Sequence, residues 1–380
     1  PQRPNPNPKP NPNPNPIPNP SPNPNPNPNP NPNPNPNSGP YAPCETPQAT
    51  WRFDPKVRSC LRDVQRKAWA DEAKRNHGRF QGTTEDHFYD FYVAGAPPGP
   101  KLLLDVGAND GESTADFLQK FKPSRGHTVH SFEPNPQTHA QLRARVEGEL
   151  GSGGLGLLED LRLNRNPAPD PSKRVFLHNV GFSDHQDQLN LYGKRGNSAT
   201  HSLRQGSNTE VVATVDIDML PSYFQKLEAR GLGIGERKVD FLKIDTEGFD
   251  GLVLKGADTW FRQKRVSVGC VEYISAWFET GIDDPMMTLK GVVKFMDDRG
   301  YDTYFLTHEG EGRKFQNGQP LPEDPSSADL LSASFFYISD DLWEDHYEIG
   351  GWFNIGFVER NYCHYDSVLP LSATYARLCA

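Results

Sequence analysis

The sequence predicts an α/β fold with a mostly parallel sheet covered by helices on both faces. Three observations carry that expectation. From Lys101 onward, short and continuously apolar segments alternate with segments of helical period, the pattern of parallel strands buried on both sides. Acids stand at or just past the ends of four such strands, at Asp105, Glu133, Asp245 and Glu272, where ligands of open α/β sheets bind. The first strand also runs into a tight turn, "DVGANDGES" (105–113), with glycines at 107 and 111.

The elements follow in order. The first 37 or so of the 380 residues are nearly pure Asn-Pro repeat. Alternating Pro removes half of the N–H donors and offers no apolar face, so residues 1–40 are expected to be a disordered, extended spacer. At ~3.1 Å per residue such a spacer reaches on the order of 100 Å. A segment at 55–76 reads as helix and 81–100 as loop, so 41–100 is expected to be a helical and loop extension. Residues 101–340 hold the main domain. Its strands are expected at 101–107, 127–133, 174–182, 188–193, 210–217, 239–245, 265–273, 301–307 and 333–339. Its helices are expected at 113–121, 137–150, 220–230, 249–261 and 285–300, and a Gly- and Pro-rich insertion at 151–173. Residues 341–380 read as an aromatic-rich C-terminal extension.

Composition excludes several partners. The chain has 40 Lys+Arg against 49 Asp+Glu. Without Arg3 and Lys9 of the spacer the remainder holds 38 against 49, a balance of −11. No basic stripe with interleaved aromatics is present, which argues against nucleic acid. No apolar run reaches the ~18 residues of a membrane span. There is no CxxC, which argues against structural zinc. Peripheral Cys44, Cys60, Cys363 and Cys379 are compatible with disulfides and a secretory compartment, and equally with reduced thiols. The spacer is compatible with a stalk below a removed membrane anchor, hence with the Golgi lumen or the exterior; a cytoplasmic location stays open.

The glycine turn departs from the dinucleotide fingerprint G-x-G-x-x-G. Its glycines are spaced G-x-x-x-G, Asn109 replaces the middle one, and Asp110 and Glu112 stand where a pyrophosphate needs bare N–H groups. Like charges ~4 Å apart cost about 1 kcal/mol in water and more in a dry cleft. A zwitterion bearing a sulfonium and an ammonium fits better: its positive centres find carboxylates, and its own carboxylate the N–H groups of the turn. Glu133, in "FEPNP", lies 26 positions after Gly107, near where an acid accepts hydrogen bonds from both ribose hydroxyls.

With "DVGANDGES", "FEPNP" and "VDFLKIDTEGFDGLVLKGA" in this order, the chain resembles the FkbM family of S-adenosylmethionine-dependent methyltransferases over about residues 100 to 340. "GFSD", "VATVDID", a strand ending in "VEY", "RGYDTYFL" and "ADLLSASFFYI" extend the likeness. It implies a Rossmann-like seven-stranded sheet with its last strand antiparallel, and O-methyl transfer to a hydroxyl of a sugar, glycan or related product. Carried over by position, Asp105, Gly107, Asn109 and Gly111 form the methionine-side loop, Glu133 holds the ribose and Asp184 lies near the adenine edge. Asp245 and Glu247 of "KIDTEG" border the transferring methyl.

A hydroxyl acceptor must lose its proton, and the candidate bases are Asp245, Glu272 and His308, each at an expected strand end. Asp245 also reads as the N-cap of the following helix, and Glu247 as a partner of Lys243 or a helix-end charge. Together Asp245 and Glu247 could instead hold a divalent cation, Mg or Mn, that polarises the acceptor. The link at 196–208 suits an acceptor lid or an ordinary surface loop. Aromatics in "FYDFY" (88–92), with Trp277, Trp343, Trp352 and Tyr362, suit a sugar wall or core packing. An NAD-dependent oxidoreductase, and a non-catalytic stalked surface protein with a retired enzyme core, remain the alternatives.

Overall fold

A computed structural model describes residues 55–60, 62–63, 66, 80–81, 85–161, 170, 172–194, 197–202, 209–274, 277, 282–306, 335–344, 348 and 351–364. All lie in the second of the chain's two units, Thr46–Ala380. The expected spacer at 1–40 lies outside the described residues.

The strands are β1 (Phe80–Gln81), β2 (Leu102–Val106), β3 (Thr128–Phe132), β4 (Leu158–Leu161), β5 (Val175–His178), β6 (Gly181–Phe182), β7 (Asp187–Lys194), β8 (Asn197–Ser202), β9 (Glu210–Asp218), β10 (Val239–Ile244), β11 (Val266–Ile274), β12 (Tyr301–Leu306), β13 (Phe335–Ile338) and β14 (Gly351–Glu359). The helices are α1 (Glu85–Gly95), α2 (Glu112–Lys120), α3 (Pro136–Gly154), α4 (Leu220–Ala229), α5 (Asp250–Gly256), α6 (Asp258–Arg262) and α7 (Leu289–Asp298).

One large sheet runs in the order β13-β12-β14-β11-β10-β2-β3-β5-β4, with β1 added to β14. Seven neighbours within it form the expected Rossmann-like core. Six are mutually parallel (β12, β11, β10, β2, β3 and β5), and β14, last in the chain, runs antiparallel between β11 and β12. The inner strands β2, β3, β5 and β10 are buried at every residue. That explains their unbroken apolar runs, since helices cover both of their faces.

Three features differ from the sequence expectation. The inserted antiparallel strand is β14, from the segment expected to be an extension outside the domain, whereas β13 merely pairs with the outer side of β12. Residues 158–161 of the insertion form β4 at the opposite edge, parallel to β5. The segment read as a loop contains α1. Its Phe88, Tyr89 and Tyr92 are spaced to fall on one helical face, and all three are buried. The rings of Tyr89 and Tyr92 lie 5.0 and 5.2 Å from that of Phe241. A smaller four-stranded sheet, β6-β9-β7-β8, stands beside this core.

The two termini of the described chain are tied to it. Arg58 pairs with Asp341, and Arg66 Nε lies 2.5 Å from a Glu344 carboxylate oxygen. Cys60 and Cys363 are each disulfide-bonded, and Cys270 is a buried free thiol. Among the described residues, no helix is long and apolar enough to cross a membrane.

Candidate active site

Strand register brings the acids together. Asp105 on β2 pairs with Lys243 on β10 and with Ser131 on β3, and Lys243 pairs with Cys270 on β11. Side chains of directly paired residues share one face, so these four form a row across the sheet. Glu272 is two residues beyond Cys270 on that face, buried beside β14, whose Asn354 is its register partner.

Asp105 is fully buried and accepts a hydrogen bond from Thr114 Oγ1 at 2.6 Å, while the same hydroxyl lies 2.8 Å from Ser131 Oγ. Its other oxygen, Oδ1, is buried with no hydrogen-bond partner. Burial raises its pKa, against the pull of Lys243 and Thr114.

The turn after β2 is built by its glycines. Gly107 has φ +83° and Gly111 φ +93°, and Asn109, at φ 48°, also takes the left-handed region that Asn tolerates. A Cβ on Gly107 would sit 1.7 Å from the carbonyl oxygen of Asp245, and one on Gly111 2.7 Å from Leu142 Cδ1 of α3. Gly107 thus puts the turn in backbone contact with the loop after β10, and Gly111 seats it on α3.

Four amides of this turn are occupied. Gly107 and Ala108 both donate to the carbonyl of Phe132, Gly111 donates to that of Ala108, and Asn109 donates to Glu133 Oε2 at 3.1 Å. The expectation that these N–H groups receive a ligand carboxylate is therefore corrected. Asn109 Oδ1 is buried without a partner, so the turn is short of donors and not of acceptors.

Two of the expected acids also point elsewhere. Asp110 pairs with Arg145 of α3, and Glu112 is exposed in the first turn of α2. The negative charge of the site comes instead from the strand ends.

Glu133 is one of these. It is buried, Oε1 accepts from Asn135 N at 2.8 Å, and burial pushes its pKa up to about 7 despite the two backbone N–H groups. Each oxygen keeps a lone pair for a further donor. Asp184 is bound at its carboxylate by Lys255 at 2.8 Å and His185 Nδ1 at 2.7 Å.

The loop after β10 carries the remaining carboxyls. Lys243 Nζ lies 2.9 Å from Asp245 Oδ2, so Lys243 pairs with Asp245. The N-cap of α5 is Phe249, which corrects the reading of Asp245 as its cap. Asp250, overlooked in the sequence, organises the loop. It is fully buried and accepts from Thr246 N at 2.6 Å, Thr246 Oγ1 at 3.0 Å, Gly248 N at 3.1 Å and Trp277 Nε1 at 3.1 Å. Its signal was the third acid of "DTEGFD", five residues after Asp245.

Burial and then Asp245 raise the pKa of Asp250 to about 6. Glu247, at φ 53°, is half-buried, and burial, Asp245 and Asp250 push its pKa to about 8. Asp105, Glu133, Glu247 and Asp250 all feel the charge of Asp245, and Lys243 offsets it at Asp105 and Glu247.

A divalent cation at Asp245 and Glu247 finds no support. The ammonium of Lys243 already stands against Asp245, and among the described residues no group of three or more His, Cys, Asp or Glu is arranged for a metal. His308 lies outside the described residues, as do 196 and 203–208 of the expected lid; 197–202 form β8, paired with β7. The aromatics mostly pack. Phe88, Tyr89, Tyr92 and Trp277 are core, Tyr362 is buried and Trp343 packs against the core.

The family model of the methyltransferase FkbM domain matches residues 105–303, the stretch that holds every one of these loops. The chain belongs to this family. Among solved structures, the methyltransferase FkbM from Methylobacillus flagellatus KT is 15% identical, over 48% of this chain and 36% of its own, with a TM-score of 0.29. The match thus spans about a third of that protein. An O-methyltransferase from Bacillus cereus in complex with SAH is 11% identical over 78% of this chain and 90% of its own, at a TM-score of 0.33. The precorrin-6y C5,15-methyltransferase from Geobacter metallireducens GS-15 is 10% identical over 74% and 95%, at 0.29. Among curated proteins, none matches.

Proposed function

We propose that this FkbM-family methyltransferase moves a methyl group from S-adenosylmethionine to a hydroxyl of a sugar, glycan or related product. The observation that carries the reading is the excess of buried acceptors where the loops after β2, β3 and β10 meet. Asp105 Oδ1 and Asn109 Oδ1 lack donors, and the charge of Asp245 acts on four further carboxyls. A cation rich in N–H and O–H donors supplies what these groups lack; a pyrophosphate adds charge of the wrong sign. The residues present therefore fit the donor.

Asp105 and Asn109 would hold its ammonium end, and Gly107 and Gly111 shape their loop. Glu133 would take the ribose hydroxyls, and Asp184 would stand at the adenine edge. When bound, the donor supplies an electrophilic methyl on sulfur, and the protein's task is to hold the acceptor oxygen ~3 Å from it and in line. Asp245, through its pair with Lys243, and Glu272, level with it on the neighbouring strand, flank that place. A hydroxyl acceptor has a proton to lose, and this site holds carboxyls whose burial raises their affinity for one. That favours oxygen as the acceptor atom.

Titration calorimetry of the full chain with S-adenosylmethionine, S-adenosylhomocysteine and NAD tests the donor. Labelled-methyl transfer to a panel of methyl glycosides tests the acceptor class. Binding of the first two ligands without NAD supports the reading. NAD binding alone would replace it with an oxidoreductase, and no binding of any of the three with a retired core.

A further inference from the structure

Resting on that reading, we propose that Lys243 is a positioning residue of the donor site: its buried ammonium is the counter-charge that keeps Asp105 a carboxylate for the ammonium end of the donor. Strand register fixes the pair. Lys243 on β10 is the direct partner of Asp105 on β2, on strands ~4.8 Å apart, with both side chains on one face. Lys243 is 4% exposed. On its other side stands Cys270 of β11, a buried thiol whose Sγ lies 3.8 Å from Tyr89 OH of α1.

A lysine is an expensive choice for this position. All six residues of "VDFLKI" are buried. Phe241, two before Lys243 and so on the same face, packs under the rings of Tyr89 and Tyr92. Leucine or methionine would fill such a place without the cost of burying an ammonium. The charge answers a need of its neighbours, and two carboxylates stand beside it.

Of the two, Asp105 needs it more. Asp245 Oδ2 lies 2.9 Å from Nζ, but the Asp245 side chain is 27% exposed, and solvent supports its charge. Asp105 lacks that support. It is fully buried, one oxygen takes a hydroxyl from Thr114, and the other has no hydrogen-bond partner. A carboxylate so placed stays ionised only with several N–H donors or a nearby cation.

The influences on Asp105 rank accordingly. Burial raises its pKa, and Lys243 is the strongest group opposing the rise, ahead of the Thr114 hydroxyl; Asp245 adds to it. On β3, Ser131 brings a hydroxyl and no charge, and Glu133 at the strand end is itself disfavoured as an anion by Asp105. Without the lysine charge, Asp105 keeps a proton at neutral pH. That proton must leave before an ammonium docks, so binding releases it and strengthens as pH rises. S-adenosylmethionine and S-adenosylhomocysteine carry the same ammonium, so the effect falls on both.

Calorimetry of the full chain with S-adenosylhomocysteine, whose sulfur is neutral, isolates the ammonium end. Two buffers of different ionisation enthalpy count the protons released. At pH 7, Lys243→Met is expected to release roughly half a proton or more per ligand beyond wild type. Its affinity should be weaker by roughly tenfold and should recover from pH 6 to 8 more steeply than that of wild type. Lys243→Gln, also uncharged, repeats both measurements if the Met variant folds poorly. Lys243→Arg keeps the charge and should give the wild-type proton count and slope. Asp245→Asn, which leaves Lys243 to Asp105, should release no more protons than wild type. A lysine that only packs would move neither readout, so an unchanged count and slope in the neutral variants overturns the proposal. Lys243→Arg or Asp245→Asn behaving like Lys243→Met overturns it too, because the charge, or its action on Asp105, would then not matter. If wild type binds neither compound, the underlying reading fails first and takes this one with it.

Discussion

Replacing Gly107 by Ala probes the contact on which the site depends. The added Cβ meets the Asp245 carbonyl oxygen at 1.7 Å, and a backbone atom cannot swing aside as a side chain does. The two loops must part by roughly 1.5–2 Å to restore ordinary contact, an overpacking that costs about 1–3 kcal/mol. The backbone adds its own penalty: at φ +83° an L-residue costs about 1–2 kcal/mol. The sum, about 2–5 kcal/mol, is a large part of the ~5–15 kcal/mol that holds a domain together. Gly99 supplies the control. It has φ +110° with nothing within 4 Å of a built Cβ, so Gly99→Ala should show the backbone penalty alone. Urea denaturation of both variants at pH 7, with disulfides kept oxidised, reads the difference. Donor affinity should fall only in Gly107→Ala, because only there do the loops separate. Equal destabilisation in the two variants would refute the contact between the turn and the β10 loop.

Three further outcomes are expected. Thr114→Val removes the hydrogen bond to Asp105 and should cost about 1–3 kcal/mol in urea denaturation, with Thr114→Ser near wild type. Glu133→Gln sets an amide NH2 against the N–H of Asn109 or Asn135 and should weaken S-adenosylmethionine binding by roughly tenfold or more by calorimetry; a change under twofold would remove Glu133 from the donor site.

The third concerns His130 and His178, buried with His130 Nδ1 3.0 Å from His178 Nε2 and His178 Nδ1 2.8 Å from Tyr223 OH. Burial lowers the pKa of both, that of His130 to about 3. The unfolded chain therefore binds protons below pH ~6.5 that the folded chain refuses, and stability falls with pH. For His130 alone the loss between pH 7 and 5 is about 2 kcal/mol. Glu133 and Glu247, whose pKa values are raised, act in the opposite sense over the same range. The comparison with His130→Gln isolates the histidine: its loss between pH 7 and 5 should be smaller by that amount.

Much of the fold could be read because the inner strands are buried on both faces and so spell unbroken apolar runs, as in "KLLLDV" and "VDFLKI". The grouping of Asp105 with Asp245 was legible too, since both close parallel strands at one sheet end. The errors lay where tertiary context decides. Asp110 and Glu112 looked like part of the berth because sequence gives spacing and not direction; Arg145, 35 residues away, draws Asp110 outward. The turn amides looked available because their partner, the Phe132 carbonyl, belongs to another strand. α1 looked like loop because aromatics are indifferent helix formers; its packing on Phe241 supplies what propensity lacks. In β14, Phe353, Ile355 and Phe357 alternate and are fully buried, a period-two signal hidden among glycines.

The place of β14 has a consequence for how the chain is made. During synthesis, every loop of the proposed donor site leaves the ribosome before residues 351–359 exist, yet β11 and β12 are joined only through them. Until then β11 presents an open edge from Val268 to Ile274, the kind of surface that chaperones shield and that otherwise recruits other chains. Recombinant fragments ending near residue 340 keep that edge exposed, however intact the loops after β2, β3 and β10. Those reaching Arg360, which binds Asp302 at 2.8 Å and the carbonyl of Gly300, close it.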